Sequence, residues 1–193
     1  MTTLLLARHG ETDWNRDGRW QGHSNTSLNA RGREQARGLA GELTEKIDVV
    51  YSSDLARARE TAEIVADRLG LEIELDPRLR ERGFGSWEGL TRSEIEERDA
   101  EGLARWLAGQ GHGADDAEPF DEFAERMHGF LGDVLHRHPG ERVLVIAHGG
   151  SIRVLHALAL GLDYVRDHRL IPAVANCAVA RYAARDGKLA PLD

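Results

Sequence analysis

Two segments of this 193-residue chain are apolar without interruption: residues 4–7, LLLA, and residues 143–147, VLVIA. A β-strand points successive side chains to opposite faces, so an unbroken apolar strand has to be covered on both. That requirement selects a sheet lying between two layers of helices. A third run, VVY at 49–51, has the same character. With their flanks, the segments 3–7, 48–52, 71–75 and 142–147 read as strands, bounded by polar or turn-forming residues.

Helical patterns separate them. Residues 29–46 open on Asn29, a side chain suited to capping. Residues 55–70 end on Gly70, a stop signal. Thr91-Arg92-Ser93-Glu94 has the spacing of a capping box and starts a helix running to about residue 108. In 119–138, Pro119 marks the start, and Phe120, Phe123, Met127, Phe130, Leu131, Val134 and Leu135 share one apolar face. Residues 151–162 are nearly all apolar, which predicts a buried helix. The C-terminal run from Ala173 reads as two strands turning at Arg185-Asp186-Gly187, with 176–182 near a sheet edge. The Gly- and Asp-rich piece 109–119 is a loop. Strands alternating with helices predict an α/β three-layer sandwich, its sheet mixed but mostly parallel with five or six strands. Residues 1–193 form one domain, with a small helical cap over about 85–135.

In such a sheet, ligands bind beyond the carboxyl ends of the strands. The residues just past each strand are therefore informative. After 3–7 come Arg8, His9 and Gly10; after 48–52, Arg57 and Arg59; after 71–75, Glu81 and Glu88; after 142–147, His148, Gly149 and Gly150. Histidines, arginines and carboxylates at strand ends are the groups phosphoryl transfer requires. Arginine forks match phosphate oxygens, and free amides at a helix start add donors. A formal net charge of −8 argues against nucleic-acid or membrane partners held by bulk electrostatics. The single Cys177 suits a reducing, cytoplasmic compartment. No apolar run is long enough for a membrane span.

The four motifs LLARHGETDWN, SSDLARARETA, LRERGFGSWEGL and VIAHGGSIR, in that order over residues 3–155, resemble those of the histidine phosphatase superfamily, also called phosphoglycerate-mutase-like. The resemblance implies roles position by position. His9 matches the nucleophile that becomes phosphorylated. Arg8, Arg57 and His148 match the residues around the transferred phosphate, and Glu81 matches the acid that protonates the leaving oxygen. Asn15 matches a phosphoryl contact. Gln21 and Gly22, with Gly149, complete the expected substrate-binding set. The segment 21–36 departs from the family at Asn25 and Ser27, where an Asp and a Pro are common.

The implied activity is that of a metal-independent phosphatase of the histidine acid type, without a cofactor, acting on a small phosphate monoester. Mutase-type phosphoryl transfer and a noncatalytic phosphate-binding module are the alternatives, and a metal-dependent phosphatase is the enzymatic rival. Mutases of the family hold a second anion with basic groups after the acid motif. Residues 89–125 here carry only Arg92, Arg98 and Arg105 against eleven carboxylates, which favours the phosphatase. Of the remaining groups, Arg59 reads as surface or salt bridge, His156 as core or helix packing, and His136 and His138 as a helix-end pair rather than metal ligands. Trp14 and Trp20 fit a pocket rim or plain packing equally. The sequence carries no signal for an oligomeric state.

Overall fold

A computed structural model describes residues 1–185 and 188–192. The four expected strands form as β1 (Thr2–Arg8), β2 (Val49–Ser52), β3 (Ile73–Leu75) and β4 (Arg142–Ala147). The C-terminal run supplies β5 (Val179–Arg185) and β6 (Lys188–Pro191); residues 186 and 187 of the expected turn lie outside the described residues. One sheet holds all six in the order β3-β2-β4-β1-β5-β6. The first four are parallel, β5 runs antiparallel to β1, and β6 antiparallel to β5. The strand expected near an edge, β5, lies one strand in.

Parallel neighbours need crossover connections, and the helices provide them. In chain order they are α1 (Asp13–Arg16), α2 (Ala30–Glu42), α3 (Ala56–Leu69), α4 (Arg92–Arg98), α5 (Ala100–Leu107), α6 (Phe120–Arg137), α7 (Gly149–Leu160) and α8 (Tyr164–Asp167). The alternation along β1 assigns the layers. Leu5 and Ala7, with Leu144 and Ile146 of β4, pack against Leu39 of α2 and Ala58, Ala62 and Val65 of α3. Leu4 and Leu6, with Val143 and Val145, pack against Phe123, Met127, Phe130 and Val134 of α6 and Ile152 and Leu155 of α7. Both faces are dry, as the unbroken apolar runs require.

The expected helix over 91–108 is two helices. Its capping box forms, with Thr91 and Glu94 exchanging side-chain and backbone bonds. At Asp99 the backbone leaves the helical region (φ −147°, ψ 59°), and the Asp99 carboxylate accepts from the Gly102 N–H and from the Trp87 indole N–H. An aspartate that offers the backbone an alternative acceptor ends one helix and starts the next. The region 85–135 also divides. Trp87, Ile95, Leu103, Ala114 and Ala117 form a separate small core over α4 and α5, whereas α6 belongs to the main layer through the stripe described above.

Leu5 is fully buried at the centre of the sheet. Truncating Leu5→Ala should lower unfolding free energy by about 2–5 kcal/mol, read from the midpoint of urea denaturation at constant slope.

Candidate active site

The site starts from one register. β1 and β4 pair in parallel with Arg8 opposite Ala147, and the His9 N–H donates to the Ala147 carbonyl at 3.0 Å. The next residues are His9 and His148. Each continues the alternation of the layer that holds Leu5, Ala7, Leu144 and Ile146. The two imidazoles accordingly sit together, with ring centroids 5.1 Å apart at a tilt of 58°.

Both rings are buried, His148 completely. His9 Nδ1 lies 2.7 Å from the Gly10 carbonyl. A carbonyl only accepts, so Nδ1 carries the proton and Nε2 keeps its lone pair. Burial first, then the Arg57 and Arg8 charges, hold His9 neutral, well below the ordinary histidine range. Burial followed by Arg57, His9 and Arg8 does the same to His148.

The proton on His148 follows by accounting. Its Nε2 lies 2.9 Å from the Ser53 hydroxyl, which already accepts from the Leu55 N–H at 3.3 Å. Ser53 is buried, and His148 Nε2 is the acceptor available to its hydroxyl proton. Ser53 therefore donates to Nε2, and the neutral ring carries its own proton on Nδ1. That Nδ1 is buried with no partner in the protein.

Arg57, only 1 % exposed, is braced by the carbonyls of Ser24 and Gly22, each at 2.8 Å, and burial lowers its pKa to about 10. Asn25 Oδ1 accepts the Ala56 N–H at 2.7 Å and so fixes the start of α3, where Arg57 sits. Arg8 donates through Nη1 to the Val174 carbonyl at 2.6 Å. The Nε groups of Arg8 and Arg57 are buried and unpartnered, like His148 Nδ1. An unmet buried donor costs about 1–3 kcal/mol. All three belong to residues that surround His9, an arrangement suited to an anion.

Glu81 faces the same space. Its Oε2 accepts the Gly150 N–H at 3.0 Å, and its Oε1 the Arg82 N–H at 2.9 Å. A Cβ at position 150 would stand 2.1 Å from Oε1, so any side chain there would displace the Glu81 carboxylate from this position. The expectation for Gly149 shifts accordingly: it lines the cavity, while Gly150 makes the close contact. The loop carrying Glu81 is pinned from α6 by Arg126, which bonds the carbonyls of Arg78, Arg80 and Glu81, and from α7 by Ser151. Arg80 turns away to Asp54. Glu88 is fully engaged with the amides of His23, Ser24 and Phe84, which makes it a loop tie.

The other expected contacts, Asn15, Gln21 and Gly22, line the cavity and are also tied into the surrounding loops. Asn15 lines the cavity, and its Oδ1 closes a capping box with Thr12 and accepts from Asn176. Gln21 accepts from the hydroxyls of Thr12 and Thr26. Gly22 contributes its carbonyl to Arg57, and its φ of +49° with Glu88 against it leaves no room for a side chain. Trp14 and Trp20 both line the cavity. His138 bonds Tyr51 and Glu141 through its two ring nitrogens, His156 meets the Tyr182 hydroxyl, and Arg59 pairs with Glu63. Among the described residues no group of three or more side chains is placed to hold a metal. No described helix is long and apolar enough to cross a membrane.

Arg8, His9, Arg57 and Glu81 line one cavity of about 400 Å³, walled on the cap side by Trp20, Phe84 and Trp106 and elsewhere by Phe120, Tyr164, Arg82 and Arg153; His148 is not among its lining residues and reaches it through its contact with His9. Sequence reading gave neither Arg82 nor Arg153 a place in the cavity, although each stands inside a quoted motif. It also missed Ser53, whose position one residue past β2 was the available signal. Arg126 is a polar position on an amphipathic helix and gives none.

A family model described as the histidine phosphatase superfamily (branch 1) matches residues 4–192. The "Probable phosphoglycerate mutase GpmB" of Escherichia fergusonii is 37% identical over 183 residues, covering 94% of this chain and 84% of that one. Phosphoserine phosphatase 1 of Hydrogenobacter thermophilus is 36% identical over 166 residues, covering 84% and 78%. Among solved structures, a mycobacterial glucosyl-3-phosphoglycerate phosphatase in complex with VO3 superposes with a TM-score of 0.86 at 31% identity, covering 98% and 95%.

Two outcomes follow from the imidazoles. Because both are held neutral in the fold but protonate near pH 6.5 when unfolded, the unfolded chain binds more protons below that pH. Stability should fall as pH drops below about 6.5, and NMR titration should find both rings neutral at that pH. Replacing Ser53→Ala should release the His148 tautomer, visible in its ring ¹⁵N shifts. It should also slow turnover by about five- to tenfold, one neutral hydrogen bond's worth.

Proposed function

The chain belongs to the histidine phosphatase superfamily, and from that premise we propose that it hydrolyses a small phosphate monoester through a phosphohistidine at His9. The observation that carries the reading is a neutral His9 ring with Arg57 and Arg8 near enough to act on its charge and His148 in ring contact, each of these three neighbours keeping a buried nitrogen without a protein partner. Phosphatases acting on several different esters are among the chain's relatives and structural neighbours.

His9 Nε2 attacks phosphorus in line as the ester P–O bond breaks. Arg8, Arg57 and the His148 Nδ1–H hold the nonbridging oxygens, in a buried setting where such contacts are strong. Glu81, protonated at this stage, gives its proton to the departing alkoxide. Water then attacks the phosphohistidine, its proton passes to Glu81, and the N–P bond breaks to release phosphate. Every step uses side chains of this protein; no metal or cofactor is required. The single cysteine and acidic charge suit a cytoplasmic enzyme.

Mutase-type transfer is the second reading, favoured by the relative named as a phosphoglycerate mutase. Against it, none of Arg92, Arg98 and Arg105 lines the cavity. Hydrolysis of an aryl phosphate with no exchange between 3- and 2-phosphoglycerate distinguishes the phosphatase; exchange at a comparable rate overturns it.

Quenching the enzyme with ³²P-labelled ester should trap a phosphoenzyme that survives alkali and is lost in acid. His9→Ala should abolish it, and an adduct persisting in that variant removes His9 from the role. Glu81→Gln should lower turnover by about 10²–10⁴-fold for esters with poor leaving groups. The loss should be smaller for p-nitrophenyl phosphate, whose leaving group needs no proton.

A further inference from the structure

Past the end of β1, the main-chain groups of the turn that carries His9 are fastened from several directions. The His9 N–H goes to the Ala147 carbonyl, and the Gly10 N–H to the Thr61 hydroxyl of α3 at 3.0 Å. The Glu11 N–H goes to Gln35 Oε1 of α2 at 2.8 Å, and the Glu11 carbonyl accepts the Asn29 N–H at 3.0 Å. The Gly10 carbonyl holds His9 Nδ1. The one group left, the His9 carbonyl, accepts from the Asn176 side-chain amide at 2.8 Å. That amide comes from the far end of the chain, and no step of the proposed chemistry uses it.

Asn176 reaches His9 because the chain bends there. β5 pairs antiparallel with β1, Ala7 opposite Val179, and that register carried two residues further would set Cys177 opposite His9. The ladder ends instead in a turn. The Ala178 N–H donates to the Ala175 carbonyl at 3.2 Å, and Cys177, third of the four residues, has φ +57°. Among the described residues it is the only non-glycine with positive φ. A turn with positive φ at its third position favours glycine or asparagine there, so a cysteine holds this shape under strain. Hydrogen bonds to the end of β1 keep it in place. The Cys177 N–H donates to the Arg8 carbonyl at 2.9 Å, the Arg8 N–H to the Ala178 carbonyl at 3.3 Å, and Arg8 Nη1 to the Val174 carbonyl. The bend sets Asn176 at the second position of the turn, with its Nδ2 against the His9 carbonyl and 3.4 Å from Asn15 Oδ1.

We propose that Asn176 is a positioning residue for the nucleophile: with Thr61 it clamps the peptide between His9 and Gly10, and the clamp holds the His9 ring in the orientation that attacks phosphorus. The proposal rests on the phosphohistidine reading and adds to it the side chain that aims the ring. A peptide unit is planar and rigid, so a donor on its carbonyl and an acceptor on its N–H fix it at both ends. The Gly10 carbonyl, which sets the His9 tautomer, follows one residue later, and glycine has no side chain to hold it if the preceding peptide works loose. In-line attack depends on that alignment. The Asn176 amide bonds His9 and Asn15, not Arg8, Arg57 or His148. Its loss should therefore slow the attack and leave anion binding in place.

Rapid-quench single turnovers with ³²P-labelled ester test this. Asn176→Ala should slow phosphoenzyme formation by about five- to tenfold, the worth of one neutral hydrogen bond. The dissociation constant of inorganic phosphate should change by less than about twofold, because the lost interaction acts on the attack and not on binding. Asn176→Gln, which keeps an amide, should recover part of the rate. Thr61→Val should cause its own loss, and the double variant should lose less than the product of the two, since both groups hold one peptide. Ring ¹⁵N shifts of His9 should move in Asn176→Ala from the Nδ1–H pattern towards a mixture of tautomers. Asn176→Leu, similar in size and without a donor, gives the same comparisons if Asn176→Ala does not fold. An unchanged rate, losses that simply multiply, or a rate loss matched by an equal loss of phosphate binding overturns the proposal. If the unaltered protein forms no phosphoenzyme, the hydrolytic reading fails, and the ring shifts alone decide the positioning role: a moved tautomer sustains it and unchanged shifts overturn it.

Discussion

The parallel pairing of β1 with β4 is the constraint on which the site depends. Arg8 opposite Ala147 fixes where both strands stop, and one residue further each chain delivers an imidazole. A slip of one residue would send His9 or His148 to the opposite face of the sheet. The register is held by burial, because the unbroken apolar runs have no polar side to turn outward. A core that excludes water on both faces thus sets the 5.1 Å spacing of two rings at its edge.

Everything else at the site is arranged to keep those rings neutral and oriented. Burial and neighbouring guanidiniums disfavour protonation, so the His9 ring keeps a lone pair. Proton positions are set by fixed acceptors and donors: a carbonyl for His9, a hydroxyl for His148. The unpartnered Arg8, Arg57 and His148 donors carry a standing cost in the folded chain. That cost is recovered when an anion is bound, and donors fixed in advance need no reorganisation as charge develops.

Much of this was legible in the sequence. Continuous apolar runs gave the central strands, and the groups just beyond them gave His9, Arg57, Glu81 and His148. Caps at Asn29, Gly70 and Thr91 formed where their residue types predict. What sequence could not supply is which partner each polar group chooses. Asp99 divides a helix because its carboxylate finds the Gly102 amide and the Trp87 indole, one of them twelve residues away. Gly150 rather than Gly149 donates to Glu81, a choice between adjacent glycines that only the tertiary placement of the two loops decides. Arg82, next to Glu81 in its motif, is set against Phe84 and Phe120 with the help of the His112 carbonyl, thirty residues on. An arginine count along 89–125 suggested a cation-poor cap, yet the cavity is also lined by two arginines from outside that stretch, Arg82 and Arg153.

The most direct test of the central claim is a crystal structure of the enzyme with vanadate. The account predicts a trigonal-bipyramidal vanadium bonded to His9 Nε2, its equatorial oxygens contacted by Arg8, Arg57 and His148 Nδ1. Vanadium bound to another side chain, or no oxyanion beside the two imidazoles, would contradict it.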